Sequence, residues 1–160
     1  MKIKIAMFIL ALIAGSLIIV MLVGVHNSVN NHTSVRIAIN EKWGLSIPKD
    51  AKVSYYTQTD ENWFGEGSFY TVYNDLSVND VVDSTDEGNV DKNIRIKKAT
   101  SDNYEITTLL ENIYDKANVS DNEKIGSYDN GYIYSKEDGS CMIVLEDPIA
   151  RRLYIAENVL

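Results

Sequence analysis

The sequence predicts an α+β fold in which an N-terminal transmembrane helix precedes a small, mainly antiparallel sheet packed against one amphipathic helix. Three observations lead there. The chain carries no charge from Ile5 to Val25. Runs of alternating apolar residues recur on both sides of a single stretch with helical periodicity. At 160 residues, with 45% hydrophobic and 24% charged side chains, the chain has the size and composition of one folded domain rather than of a disordered or low-complexity protein.

The opening segment sets the predicted location. As a helix, Ile5–Val25 is roughly 31 Å long, close to the ~30 Å hydrocarbon core of a bilayer, where only a helix satisfies its own backbone. A cleaved signal peptide would need a shorter apolar stretch and a small-residue exit, and Val23-Gly24-Val25-His26-Asn27 is a poor cleavage site. A lipoprotein would need a thiol where Ser16 follows Leu12-Ile13-Ala14-Gly15. A buried core helix would normally show a polar face, which this run lacks. The preferred reading is an uncleaved signal-anchor over 1–25, a polar tether over 26–34 and an extracytoplasmic α+β domain over 35–160. Lys2 and Lys4 flank the apolar run, and no further Lys or Arg occurs before Arg36. That asymmetry places the N-terminus in the cytoplasm and the remainder outside the cell membrane, in a single-pass topology.

Val35–Trp43 supports two readings. Val35, Ile37 and Ile39 alternate as in a strand, while Ser34 and Gly44 frame a short helix, which is preferred. Pro48-Lys49-Asp50 turns the chain. Ala51–Thr57 reads as a strand with Val53, Tyr55 and Thr57 on one face. After a loop holding Trp63-Phe64-Gly65-Glu66-Gly67, Ser68–Asn74 reads as its antiparallel partner. Asp75–Asn93 is a long acidic connection, and Ile94–Lys97 a short strand with Ile94 and Ile96 inward. Asp102-Asn103-Tyr104-Glu105 has capping-box spacing. Beyond it, Ile106, Leu109, Leu110, Ile113, Tyr114 and Ala117 fall on one helical face. Gly131–Ser135, Cys141–Glu146 and Arg152–Glu157 complete the sheet, with turns at Lys136-Glu137-Asp138-Gly139 and Asp147-Pro148.

Charge and composition exclude several functions. Lys and Arg number 15 against 23 Asp and Glu, a net charge of -8, so no general nucleic-acid-binding face is expected and no nucleic acid is predicted as a partner. The acidity favours a cationic protein or peptide partner, with the membrane contacted through the N-terminal helix. One Cys rules out a disulfide scaffold. Cys141 shares a strand face with Ile143 and Leu145, the pattern of a small buried hydrophobe. Its nucleophilic use would need a nearby His, and His26 and His32 both lie in the tether. Acid pairs such as Glu146/Asp147 fit a solvated surface better than a hydrolase cleft. No cofactor is expected. The loop Asp83–Asp91, with Asp83, Asp86 and Asp91 as candidate ligands, carries oxygen side chains at alternate positions and Gly88 at the sixth, as a calcium loop does, but Ile94 stands where an EF-hand needs its bidentate Glu. Aromatic residues crowd between Tyr55 and Tyr73. Trp63 and Phe64, on the loop beside Glu66, are the ones best placed to bind.

Trp43-Gly44-Leu45-Ser46-Ile47-Pro48-Lys49-Asp50-Ala51, followed by Gly65-Glu66-Gly67-Ser68-Phe69, resembles small membrane-anchored extracytoplasmic proteins of low-GC Gram-positive bacteria. Glu66 stands where those proteins carry Asp. The resemblance implies an exported bacterial domain and transfers no catalytic residue. The sequence therefore predicts a non-enzymatic, membrane-anchored protein with an acidic domain that binds a partner, serves in immunity or belongs to the envelope. A cell-envelope hydrolase or small-ligand-binding domain using the Trp63–Gly67 loop is the alternative.

Overall fold

The computed structural model describes residues 33–59, 66–82, 93–99 and 104–160. The chain divides into two compact units, Met1–Ala38 and Ile39–Leu160. Residues 33–43 are helical (α1), and 33–38 are the described part of the first unit. The second unit holds β1 (Lys52–Gln58), β2 (Gly67–Asn74), α2 (Val78–Val81), β3 (Ile94–Lys98), α3 (Tyr104–Lys116), β4 (Asn130–Lys136), β5 (Cys141–Asp147) and β6 (Arg152–Val159).

The strands form one six-stranded sheet in the order β1-β2-β6-β5-β4-β3. Every neighbouring pair is antiparallel. The last strand in chain order thus lies inside the sheet, joining the β1–β2 hairpin to the β3–β4–β5 group. One sheet face meets α3. Ile106, Leu110, Ile113 and Ala117 pack there with Tyr70, Val72, Ile133, Ile143, Leu145, Tyr154 and Ala156. Each large side chain so buried stabilises by about 1.5–3 kcal/mol.

The other face is covered as well, which the expectation of a single packing helix missed. Tyr73, Met142, Val144, Leu153 and Ile155 are buried there, and so are Ile39, Trp43, Leu45, Ile47, Val78 and Val81. The Val78 N–H donates to Glu146 Oε2 at 3.0 Å, tying α2 to β5. The Ser46 N–H donates to the Val81 carbonyl at 2.9 Å. Burial on both faces explains why Cys141–Leu145 reads as an unbroken apolar run rather than an alternation.

Several sequence expectations are corrected. Among the described residues no helix is long and apolar enough to cross a membrane. The longest helix among the described residues, α3, has 13 residues, about 20 Å against the ~30 Å a span requires, and its outward side is polar. The segment 5–25, where the span was expected, lies outside the described residues. Over the described residues the fold class is therefore corrected to an α+β domain, with no transmembrane helix among them. The anchor, the membrane as a partner, the cell-membrane location and the single-pass topology are not retained. The membrane-bound functions resting on them, and the envelope alternative, fall with them.

Within the sheet, a bulge between Val53 and Tyr55 puts these residues on opposite faces, Val53 opposite Tyr73 and Tyr55 opposite Val72. Ile96, expected inward, is 45% exposed, because β3 is an edge strand.

Candidate functional site

Among the described residues, a concavity lies where the chain doubles back beside α3. The helix ends at Lys116, and Asn118 takes the left-handed conformation at φ 51. The Ala117 and Val119 N–H groups bond back to the Ile113 and Tyr114 carbonyls, each at 2.9 Å, closing the helix end. Val119 is buried in the core, and a short 3₁₀ turn, Asp121–Glu123, follows. Two contacts hold that turn. The Tyr70 hydroxyl, rising from the sheet, donates to the Glu123 carbonyl at 2.9 Å. Arg152 reaches the Glu123 carboxylate at 3.3 Å. The Ile125 N–H then donates to Tyr114 Oη at 3.2 Å, and residues 125–129 run back toward β4.

Between α3 and this return lies a groove of about 740 Å³, lined by Thr107, Leu110, Glu111 and Tyr114 on the helix and by Ile125–Asp129 on the return. A second hollow of about 460 Å³ adjoins it, shares Glu111 and Tyr114, and adds Asp115, Asn118, Asp121 and Lys124. Leu110, Tyr114 and Ile125 form an apolar floor, since all three belong to the α3-side core or pack against it. Tyr114 stands edge-on to Tyr70, with centroids 5.4 Å apart. Lys124 Nζ lies 5.7 Å from the Tyr114 ring centroid, a cation–π distance. Lys124 also pairs with Asp121 at 2.6 Å, and that hydrogen bond holds the Asp121 carboxyl below its ordinary range. Glu111, Asp115 and Asp129 make no ion pair among the described residues.

The groove offers acceptors and aromatic surface. Burial pushes the Tyr114 hydroxyl above its usual pKa, and the Tyr70 hydroxyl further still, so both stay protonated at neutral pH. The one thiol, Cys141, is buried on β5, and burial raises its pKa too. Among the described residues no group of His, Cys, Asp or Glu is arranged to hold a metal ion.

A second polar centre lies on the opposite face. Glu157 of β6 is only 5% exposed and Trp43 not at all, and the Trp43 indole N–H donates to Glu157 Oε2 at 2.7 Å. Lys136 Nζ stands 4.8 Å from the Trp43 ring centroid, and Lys42 Nζ 5.7 Å from that of Phe69. Burial raises the Glu157 pKa, against the lowering effects of the Trp43 hydrogen bond and of Lys42 and Lys136. Burial, helped by the Glu157 charge, lifts the Tyr56 hydroxyl to about 12.

Of the sequence-predicted site residues, only Glu66 falls among the described residues. Glu66 is exposed just before β2, while Trp63, Phe64, Asp83, Asp86 and Asp91 lie outside the described residues. Neither the α3 groove nor Glu157 was singled out by sequence. For Glu157 a signal existed, since it continues the Leu153–Ile155 register of β6, a face the structure buries. The groove depends on how 117–129 returns, which no local pattern encodes. No protein-family model matches the chain, and comparison with curated proteins and with solved structures finds no match either.

Proposed function

We propose that the Ile39–Leu160 unit is a non-catalytic binding domain that takes a small organic cation with an apolar body in the α3 groove. One observation carries the reading. The apolar floor of Leu110, Tyr114 and Ile125 is bordered by Glu111 and Asp129, two carboxylates without an ion-pair partner among the described residues. An ammonium about 4 Å from one such carboxylate gains about 1–4 kcal/mol, depending on how far water is excluded. Tyr114 already has a cation against its ring in Lys124, on the side of the adjoining hollow. A non-catalytic role is supported by the burial of the Cys141 thiol and the raised pKa of Tyr114.

The test is an amide NMR titration of the full chain with phenethylammonium, run beside neutral phenethyl alcohol and anionic phenylacetate. The amine is expected to give saturable shifts centred on Thr107–Tyr114 and Ile125–Asp129. These should weaken with added salt and disappear in the Glu111→Gln, Asp129→Asn double variant. Equal binding of the anion, or shifts that persist in the double variant, would refute the reading.

A further inference from the structure

The groove reading leaves one buried carboxylate unexplained. Glu157 and Trp43 are 114 positions apart in sequence and joined by a 2.7 Å hydrogen bond. Trp43 is the last residue of α1, and Gly44 follows at φ +71, with nothing within 4 Å of the position a Cβ would take. That combination makes a natural hinge: a left-handed glycine in open space directly beyond a fully buried anchor. The helix end is also tied to the chain beyond the hinge. The Ile47 N–H donates to Asn40 Oδ1 at 3.1 Å, and Asn40 Nδ2 donates to the Ile47 carbonyl at 3.4 Å. The end of α1 is thus held on the sheet by a bond to the buried carboxylate of β6.

We propose that the Trp43–Glu157 pair is a proton-operated latch, which holds residues 39–43 on the sheet more firmly when Glu157 is protonated and lets them lift about Gly44 when it is ionised. With the segment lifted, water reaches the carboxylate. With it seated, an ionised Glu157 has one hydrogen-bond donor among the described residues, the Trp43 indole. The groups facing Glu157 belong to several elements. Lys42 comes from α1, Lys136 from β4 and Tyr56 from β1, while Tyr134 of β4 lies on the same face beyond Met142. The register neighbours of Glu157 on β2 and β5 are Phe69 and Met142, which carry no charge. Both lysines favour the ionised form and both tyrosines stay protonated, yet the cost of burying the charge prevails, which fits a raised folded-state pKa. Seating the segment therefore favours taking up a proton, and by linkage the proton favours seating. Each unit by which the seated pKa exceeds the lifted one changes the latch equilibrium about tenfold.

The reporter is the Trp43 indole N–H, observed by NMR in full-length protein carrying Trp63→Phe, which leaves Trp43 as the only indole. Its hydrogen-exchange protection, corrected for the intrinsic pH dependence of exchange, is followed from pH 4 to 8. Protection is expected to fall as pH rises through the Glu157 titration, and to stay level across that range in a further Glu157→Gln variant. Identical profiles with and without Glu157→Gln, or protection that increases with pH, would overturn the latch. A carbon-13 titration of the Glu157 carboxyl in the otherwise native chain gives an independent reading should the Gln variant not fold. A value above the ordinary glutamate pKa supports the proposal, and one at or below it ends it.

Discussion

Replacing Tyr70 with Phe deletes one oxygen from the centre of the α3-side core and tests how the groove is held. The Tyr70 ring is fully buried between the rings of Tyr55, Tyr114 and Tyr154, at centroid distances of 6.3, 5.4 and 6.3 Å. Phe keeps those contacts, so almost no cavity forms. What disappears is the 2.9 Å hydrogen bond to the Glu123 carbonyl, in a part-buried setting. Losing a neutral hydrogen bond costs about 0.5–1.5 kcal/mol, and leaving its acceptor unsatisfied about 1–3 kcal/mol. Because Arg152 still holds Glu123 by its side chain, and the carbonyl is only partly buried, the lower part of that range applies, about 1–2 kcal/mol. Urea denaturation should show a lower midpoint at an unchanged slope. Amide exchange should quicken at Glu123 and Ile125 before it quickens in β5. The decisive comparison is with ligand: Tyr70→Phe should weaken phenethylammonium binding although Tyr70 does not line the groove. A stability change below about 0.3 kcal/mol, with groove amides as protected as before, would refute the tether.

Other outcomes follow from the same geometry. Gly131→Ala should destabilise by about 1–3 kcal/mol in thermal or urea unfolding, because a Cβ there meets the Val144 carbonyl oxygen and Leu145 Cδ2 at 2.5 Å. Trp43→Phe removes the indole donor from a buried carboxylate and should cost about 1.5–3 kcal/mol at pH 7.5 by urea unfolding, and less at pH 4.5, where Glu157 is closer to neutral. Glu157→Gln should stabilise at pH 7.5 relative to the native chain, with the gain fading toward pH 4.5. The folded pKa of Glu157 is raised, so its contribution is complete below the ordinary carboxylate value and is lost as pH rises through the folded one. Urea midpoints of the two proteins at both pH values check this. Asp138 has the opposite sign. The Ser140 backbone hydrogen bond lowers its pKa, so Asp138→Asn should destabilise at pH 7, and the difference should vanish as pH falls through the depressed folded value.

How legible the molecule was depended on how local each cause was. The α3 face was readable because Ile106, Leu110, Ile113 and Ala117 fix one helical stripe whatever they pack against. The β1–β2 hairpin was readable from alternation, but its facing was not. Ser54 adds a residue to one strand only, and nothing in Val53-Ser54-Tyr55 marks the bulge. Ile96 looked like a core residue because alternation says which residues share a face without saying that the strand lies at an edge. The second covered face required knowing that α1 ends on β6, a contact between residues 43 and 157. The uncharged opening run, taken as the organising feature of the fold, lies outside the described residues, and no helix among those is long and apolar enough to cross a membrane.

The placement of β6 bears on how the molecule comes into being on the ribosome. Until that strand emerges, β1–β2 and β3–β4–β5 are separate ribbons with no hydrogen bond between them, because β6 alone pairs with both β2 and β5. Synthesis runs from the N-terminus, so the nascent chain must wait with Tyr70, Val72, Ile143 and Leu145 unsealed. Such long-range closure is slow and leaves strand edges open in the interval. Helpers that shelter nascent chains should matter most for this protein in the window just before Arg152 leaves the exit tunnel.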